Sequence, residues 1–245
     1  MTAAASVAMR DLQIAYGDRL AAEIDFDVRA GEIVVLLGPS GCGKSTILRA
    51  LAGLLEPVGG TAEVIDPTST IAKRAMVFQE DALLPWRTAV RNVELALKLR
   101  GVPRQDRRSL ALDLLSQVGL AGFENHLPGA LSGGMRQRVQ LARTLATEPS
   151  LLLMDEPFGA LDAQTRMEMQ ELLVSVWRTR GTTVLFVTHD VEEALLLADR
   201  ILLLTPRPAR IQEIIQIEAP RASGFRATPE FAQLREQILR WLGEG

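Results

Sequence analysis

Cysteine is nearly absent from this chain. Cys42 stands alone, so no internal disulfide can form, and the sequence reads as one built for a reducing compartment. Long apolar runs are also missing. Val34–Leu37, Leu151–Met154, Ala194–Ala198 and Ile201–Leu204 all fall far short of a membrane span. The opening ten residues hold no basic segment followed by an apolar stretch, so no secretory signal is expected. The expected location is cytoplasmic, with a membrane reached through a partner. Positive charge is not in excess either: 27 Lys and Arg face 30 Asp and Glu, for a net charge of -3. No basic field invites nucleic acid, and none is expected as a partner. There is no internal repeat and no low-complexity tract. What remains is 47% hydrophobic and 23% charged, an ordinary globular composition with length enough for one core and an attached subdomain.

Short apolar runs alternate with longer amphipathic segments, as in α/β proteins. Glu32–Leu37 reads as a buried strand, followed by a Gly-rich turn and a helix over Lys44–Ala52 that ends at Gly53. Val64, Ile71 and Ala75–Phe78 suggest further short strands, with Asp66-Pro67 as a turn. From Asp81 to about Leu145 the character changes: Val90–Arg100 and Arg107–Val118 carry helical periodicity, punctuated by Gly101, Pro103, Gly119 and Gly122. This predicts an inserted helical subdomain. Leu151–Met154 and Val184–Val187 return to strand character, separated by a helix near Ala163–Arg178. The tail after Pro206 predicts a strand over Ile211–Ile217 and a final helix near Pro229–Leu242.

Gly38-Pro39-Ser40-Gly41-Cys42-Gly43-Lys44-Ser45-Thr46 matches G-x-x-x-x-G-K-[ST] between a strand and a helix. The glycines let backbone N–H groups turn inward onto phosphate oxygens, and the helix that follows offers its positive end to the same anion. Lys44 is placed for the β- and γ-phosphates and the Ser45 hydroxyl for Mg2+. Only three lysines occur among the 27 cationic residues, so one at this position is not filler. Cys42 reads as a small loop residue whose backbone meets phosphate. Downstream, the apolar run Leu151–Met154 ends in Asp155-Glu156. Asp155 is placed to hold Mg2+, and Glu156 to polarise an attacking water.

Leu131-Ser132-Gly133-Gly134-Met135-Arg136-Gln137 resembles the signature of ABC ATPases, with Met135 where glutamine is more usual. Its serine and glycines open a helix and so form a second anion-binding end. In that family the segment faces the γ-phosphate held by a partner cassette, which assigns Ser132, Gly133 and Gly134 to ATP binding in trans. The other motifs follow in order. Gln79 resembles the glutamine that contacts Mg2+ or water and senses the transmembrane partner. Ala160-Leu161-Asp162 resembles the loop that touches the opposite cassette, and His189 the histidine that contacts the γ-phosphate. Imidazole titrates near neutral pH and can donate to phosphate. His126, the other histidine, reads as a loop residue without a role. Tyr16, the sole tyrosine, sits where the family stacks an aromatic on adenine; a packed core tyrosine is the alternative.

Phe78–Arg87, with its Leu84-Pro85-Trp86, together with Pro157–Asp162 and Thr205–Pro208, looks like the nitrate/sulfonate/taurine importer cassettes. Asp162–Trp177 and Thr228–Leu242 are most similar to the taurine cassettes. The resemblance implies a P-loop NTPase (RecA-like) core with an N-terminal antiparallel β subdomain, at about 1–80 and 147–205. It places an inserted helical signature subdomain at about 81–146 and a C-terminal extension at about 206–245. It also implies ATP and Mg2+, a homodimer sandwiching two ATP molecules, a transmembrane permease dimer, and, indirectly, a periplasmic or extracellular binding protein. Taurine or a related aliphatic sulfonate is the implied cargo, with nitrate or another small anion as the alternative. Leu83–Arg87 is the implied groove for the permease; Trp86 is otherwise ordinary core. A soluble ABC ATPase acting on DNA or in cofactor assembly fits less well, because neither a coiled-coil insertion nor a second cassette is present. A module that only binds ATP is disfavoured by Glu156 and His189.

Overall fold

Alternate side chains of β3 (Ile33–Leu37) enter different cores, although every one of them is buried. Val34 and Leu36 pack with residues of β1 (Ser6–Tyr16) and β2 (Arg19–Val28), whereas Ile33, Val35 and Leu37 join a cluster built with helices. Two-sided burial explains why strands of this kind read as unbroken apolar runs without polar alternation. The computed structural model describes residues 4–17, 19–67, 73–80, 82–218, 221 and 224–243, apart from the side chain of residue 16.

β3 lies inside a six-stranded sheet of order β5-β6-β7-β3-β8-β9. The strands are β5 (Arg74–Val77), β6 (Leu151–Asp155), β7 (Thr183–Thr188), β8 (Arg200–Leu204) and β9 (Ile211–Gln216). All pairings are parallel except β8 with β9. A second sheet of order β2-β1-β4, with β4 at Gly59–Ile65, is antiparallel. Helix α1 (Lys44–Leu51) packs between the two, placing Ile47, Leu48 and Leu51 in their shared core.

The opposite face of the large sheet is covered by α4 (Gly133–Leu145), α5 (Ala163–Arg180) and α6 (Val191–Leu197). α2 (Ala89–Leu99) and α3 (Arg107–Gln117) pack against α4 and extend this core outward. α7 (Pro229–Leu242) lies on α6, with Phe225 and Phe231 edge to face at 5.4 Å between ring centroids. The expected helices over Val90–Arg100, Arg107–Val118 and Pro229–Leu242 thus form with ends within a residue of expectation. Two details differ: the strand expected to reach Phe78 stops at Val77, and α6 occupies what the sequence shows only as an apolar run. The strand expected at Ile71 lies outside the described residues.

One charged pair is built into this frame. Glu32 and Arg200 precede or begin the adjacent strands β3 and β8, and both are over nine-tenths buried. The Arg200 Nη2 donates to Glu32 Oε2 at 2.9 Å and to the Asp27 carbonyl at 2.6 Å. The Glu32 carboxylate beside it holds the guanidinium above its already high ordinary value, against the lowering caused by burial. Removing one partner of such a pair leaves the other buried and uncompensated, which costs about 3–5 kcal/mol. Arg200→Met should therefore lose about that much in urea unfolding. Adding Glu32→Leu should recover most of it.

Candidate active site

The parallel register decides which loops meet. β6, β7 and β3 are neighbours pointing the same way, so their carboxyl ends share one edge, where α/β sheets place their ligands. Leu37 at the end of β3 pairs with Thr188 at the end of β7, and Asp155 at the end of β6 pairs with Val187. Gly38, Glu156 and His189 each leave the sheet just beyond this line. Gln79 follows β5, the next strand along.

The loop from β3 to α1 curls tightly. Gly43 caps α1 at φ 127°, and a Cβ there would stand 2.8 Å from the Ala21 carbonyl oxygen. No other residue type fits. Lys44 is 4% exposed, and its Nζ donates to the carbonyls of Gly38 at 2.7 Å and Pro39 at 3.0 Å. The ammonium therefore lies in the mouth of the loop, where phosphate oxygens would compete for its three donors. Cys42 is buried and its amide donates to the Pro39 carbonyl at 3.3 Å. Thr46 is buried in the first turn of α1, while Ser40 and Gly41 stand exposed at the loop's tip.

Ser45 Oγ donates to Asp155 Oδ1 at 2.7 Å. Burial pushes the Asp155 carboxyl up, opposed by this hydrogen bond and reinforced by the charge of Glu156. A hydroxyl and a carboxylate at one point suit Mg2+, which takes one or two protein oxygens and keeps water and phosphate as its other ligands. No group of three or more His, Cys, Asp or Glu able to hold a metal occurs among the described residues.

Glu156 is non-glycine yet sits at φ 43°, its amide donating to the Val187 carbonyl at 3.0 Å. Backbone held in this region costs about 1–3 kcal/mol and tends to occur at functional sites. Glu156 Oε2 lies 3.0 Å from His189 Nδ1. A carboxylate only accepts, so Nδ1 carries the proton of this bond and Nε2 faces elsewhere. His189 itself is exposed, with Glu156 largely covered. Gln79 is exposed, and its carbonyl accepts from Gln137 Nε2 at 3.1 Å. Gln140 Nε2 holds the flanking carbonyls of Phe78 and Glu80 at 3.3 and 3.2 Å. Gln137 closes the signature segment but, like Gln140, has no role assigned from sequence; the signal available there is two amides three residues apart on one helix face, followed by Thr144.

Ser132 caps α4 by accepting from the Met135 amide at 3.2 Å. Gly134 abuts α5 so closely that a Cβ would come within 2.4 Å of Thr165 Cγ2, and Gly133 lies beside Leu161. No hydrogen bond joins Ser132–Gly134 to Gly38–Thr46 among the described residues; this segment is grouped instead with Asp162. Asp162 caps α5 through the Thr165 amide at 3.1 Å and hydroxyl at 2.7 Å. Those bonds hold its carboxyl below the ordinary range. Tyr16 ends β1, and its side chain lies outside the described residues. His126 lies exposed in a loop, as expected; its carbonyl accepts from the Ala89 amide at the start of α2, and its ring lies 5.3 Å from that of Phe123. Trp86 is 73% exposed, which rules out the core alternative.

Because the folded state raises the Asp155 carboxyl above the ordinary value, its ionised form costs stability. The cost is absent where the group is protonated in both folded and unfolded chains, and it grows as pH rises from the ordinary value of 3.8. Asp155→Asn should melt higher than the parent in nucleotide-free buffer at pH 8, with the gain shrinking towards acid. The same variant should lose Mg2+-dependent nucleotide affinity. Thermal melts across pH check the first and nucleotide titration with and without Mg2+ the second.

The family model described as ABC transporter matches residues 21–159, over half of the chain. The taurine import ATP-binding protein TauB of Yersinia pestis bv. Antiqua (strain Antiqua) is 47% identical over 226 residues, covering 89% of this chain and 89% of that protein. A putative ATP-binding protein of Brucella abortus (strain 2308) is 45% identical over 237 residues, covering 95% and 91%. Among solved structures, the ATP-binding cassette MJ0796, a dimer in a post-hydrolysis state bound to ADP and Pi, superposes with a TM-score of 0.74 at 32% identity. That match covers 86% of this chain and 99% of that one. Sequence, fold and the convergence of Lys44, Asp155, Glu156 and His189 agree: the chain is an ATPase belonging to the ATP-binding cassette (ABC) transporter family.

Proposed function

We propose that this chain powers an importer for taurine or a related aliphatic sulfonate, working as a homodimer beneath a permease on the cytoplasmic face of the membrane. The observation that carries the chemistry is the single sheet edge at which β3, β6 and β7 deliver Gly38–Thr46, Asp155-Glu156 and His189.

In this reading the inward amides of Gly38, Pro39's neighbours and Gly41–Thr46, with the α1 terminus, bind the ATP phosphates. Lys44 neutralises their charge, and Tyr16 stacks on adenine. Ser45 and Asp155 hold Mg2+, with Gln79 as a further contact. When bound, Mg2+ supplies charge neutralisation at the phosphoryl oxygens. Glu156 accepts a proton from water as its oxygen bonds to the γ-phosphorus and the bond to the β-phosphate oxygen breaks, giving ADP and phosphate. His189 orients Glu156 through Nδ1 and, when Nε2 is also protonated, donates to the γ-phosphate.

Ser132, Gly133, Gly134 and Asp162 serve the site of the other copy. Their grouping at the ends of α4 and α5 supports this, as does the dimeric assembly of the MJ0796 cassette. Exposed Trp86, within Leu83–Arg87, offers a contact for the permease, since a large exposed aromatic suits an interface. A binding protein outside the membrane would deliver solute to that permease. No described helix is long and apolar enough to cross a membrane, so attachment rests on the partner. The sulfonate reading draws on TauB relatives at 47% and 48% identity in Yersinia pestis and Rhizobium johnstonii (strain DSM 114642 / LMG 32736 / 3841).

Glu156→Gln should lower hydrolysis by about 10²–10⁴-fold, the usual contribution of a general base, while ATP still binds. Unchanged turnover within the assembled transporter would show that another group is the base. For the cargo, cells lacking the chain should fail to take up taurine or alkanesulfonates and should still take up nitrate. Loss of nitrate uptake alone would redirect the assignment to that anion.

A further inference from the structure

His189 is the exposed member of the hydrolytic pair, with its side chain 55% accessible and a single described bond, to Glu156. Packing cannot fix such a ring, so its aim depends on the backbone to either side. Both sides are tied down. The Asp190 amide donates to Thr188 Oγ1 at 3.0 Å, bridging across His189. Asp190 Oδ1 accepts from the Glu193 amide at 3.0 Å and caps α6. The other oxygen of Asp190 is held from α5: Arg166 Nη1 donates to Oδ2 at 3.0 Å. The same guanidinium, through Nη2, donates to the Leu161 carbonyl at 3.1 Å, next to Asp162. One turn further along α5, the buried Gln170 donates to the buried Glu193 at 3.2 Å.

We infer that Arg166 is a positioning residue that locks the segment carrying His189 to the segment carrying Asp162, so that the histidine is aimed only while the Leu161–Asp162 loop is in place. The Arg166–Asp190 pair is about one-third exposed on each side. Pairs as exposed as this add little to stability, whereas the fork geometry is specific. A planar guanidinium serves two acceptors on two elements at once, and an ammonium at this reach would serve one. The proposal rests on the reading of His189 as part of the hydrolytic apparatus, and it adds a route by which contact at Asp162 reaches that histidine.

The test is steady-state ATP hydrolysis by Arg166→Met, Arg166→Lys, His189→Ala and the Arg166→Met/His189→Ala double variant, in the assembled transporter, with melting temperatures measured alongside. Arg166→Met should lower kcat by about tenfold or more, the scale on which small misplacements act, with KM for ATP and melting temperature held. Arg166→Lys should recover part of kcat. Added to His189→Ala, Arg166→Met should cost nothing further, because both act through one ring. A normal kcat in Arg166→Met beside a lost kcat in His189→Ala overturns the positioning role alone. So does an effect that appears only as raised KM or lowered melting temperature, or one that multiplies with His189→Ala. A normal kcat in His189→Ala overturns the reading of His189 itself, and the positioning role with it.

Discussion

The hydrogen-bonded register of β6, β7 and β3 is the constraint on which the site depends. Leu37 opposite Thr188 and Asp155 opposite Val187 bring three loops from distant parts of the chain to one line. A slip of one residue would exchange the faces of every side chain on the shifted strand. For β3 that would send Val34 and Leu36 into the helical core and Ile33, Val35 and Leu37 beneath the antiparallel sheet. Since both faces are close-packed, neither set fits the other's holes. The packing of apolar strands thus sets the relative position of Lys44, Asp155, Glu156 and His189 before any of them makes a polar contact.

Polar groups then work against stability at that edge. Asp155 is kept where its charge is costly, Glu156 takes a backbone conformation that few non-glycine residues adopt, and Lys44 is drawn into the interior with only carbonyls as described partners. Each arrangement makes sense as preparation for a polyanion with its metal, whose charges would offset the burial. That cost is offset elsewhere, by the burial of the apolar strands on both faces of the same sheet.

Much of this was legible in sequence because the chemistry is carried by residue types at fixed spacing. Gly38–Thr46 needs glycines for its curl, and a lysine in a lysine-poor chain stands out. Asp155-Glu156 closes an apolar run, and the helix Ala89–Leu99 shows its buried face openly, whereas in Arg107–Gln117 Leu110 and Leu112 lie off the face that Ala111, Leu114 and Leu115 bury. What stayed hidden depends on contacts across the fold. Arg166 and Glu193 on helices, and Asp190 at the cap of α6, are ordinary polar residues until α5 and α6 are brought together. Gln137 and Gln140 gain meaning only when the segment after β5 passes beneath them. The conformation at Glu156 goes with the bond from its amide to the Val187 carbonyl of β7 just beyond the end of β6, and no composition rule reports it. Trp86 could be weighed in sequence as core or contact, and only its exposure decides.

The central claim is that one chain holds half of each catalytic site. It is tested most directly by mixing two inactive variants, Lys44→Ala and Ser132→Arg, each of which disables both sites of its own dimer. A mixed dimer unites the intact Gly38–Thr46 loop of one chain with the intact Ser132–Gly134 segment of the other. ATP hydrolysis should therefore reappear on mixing, at a level set by the fraction of mixed dimers. Activity that stays at the level of the separate variants, when exchange of subunits is complete, would contradict the account.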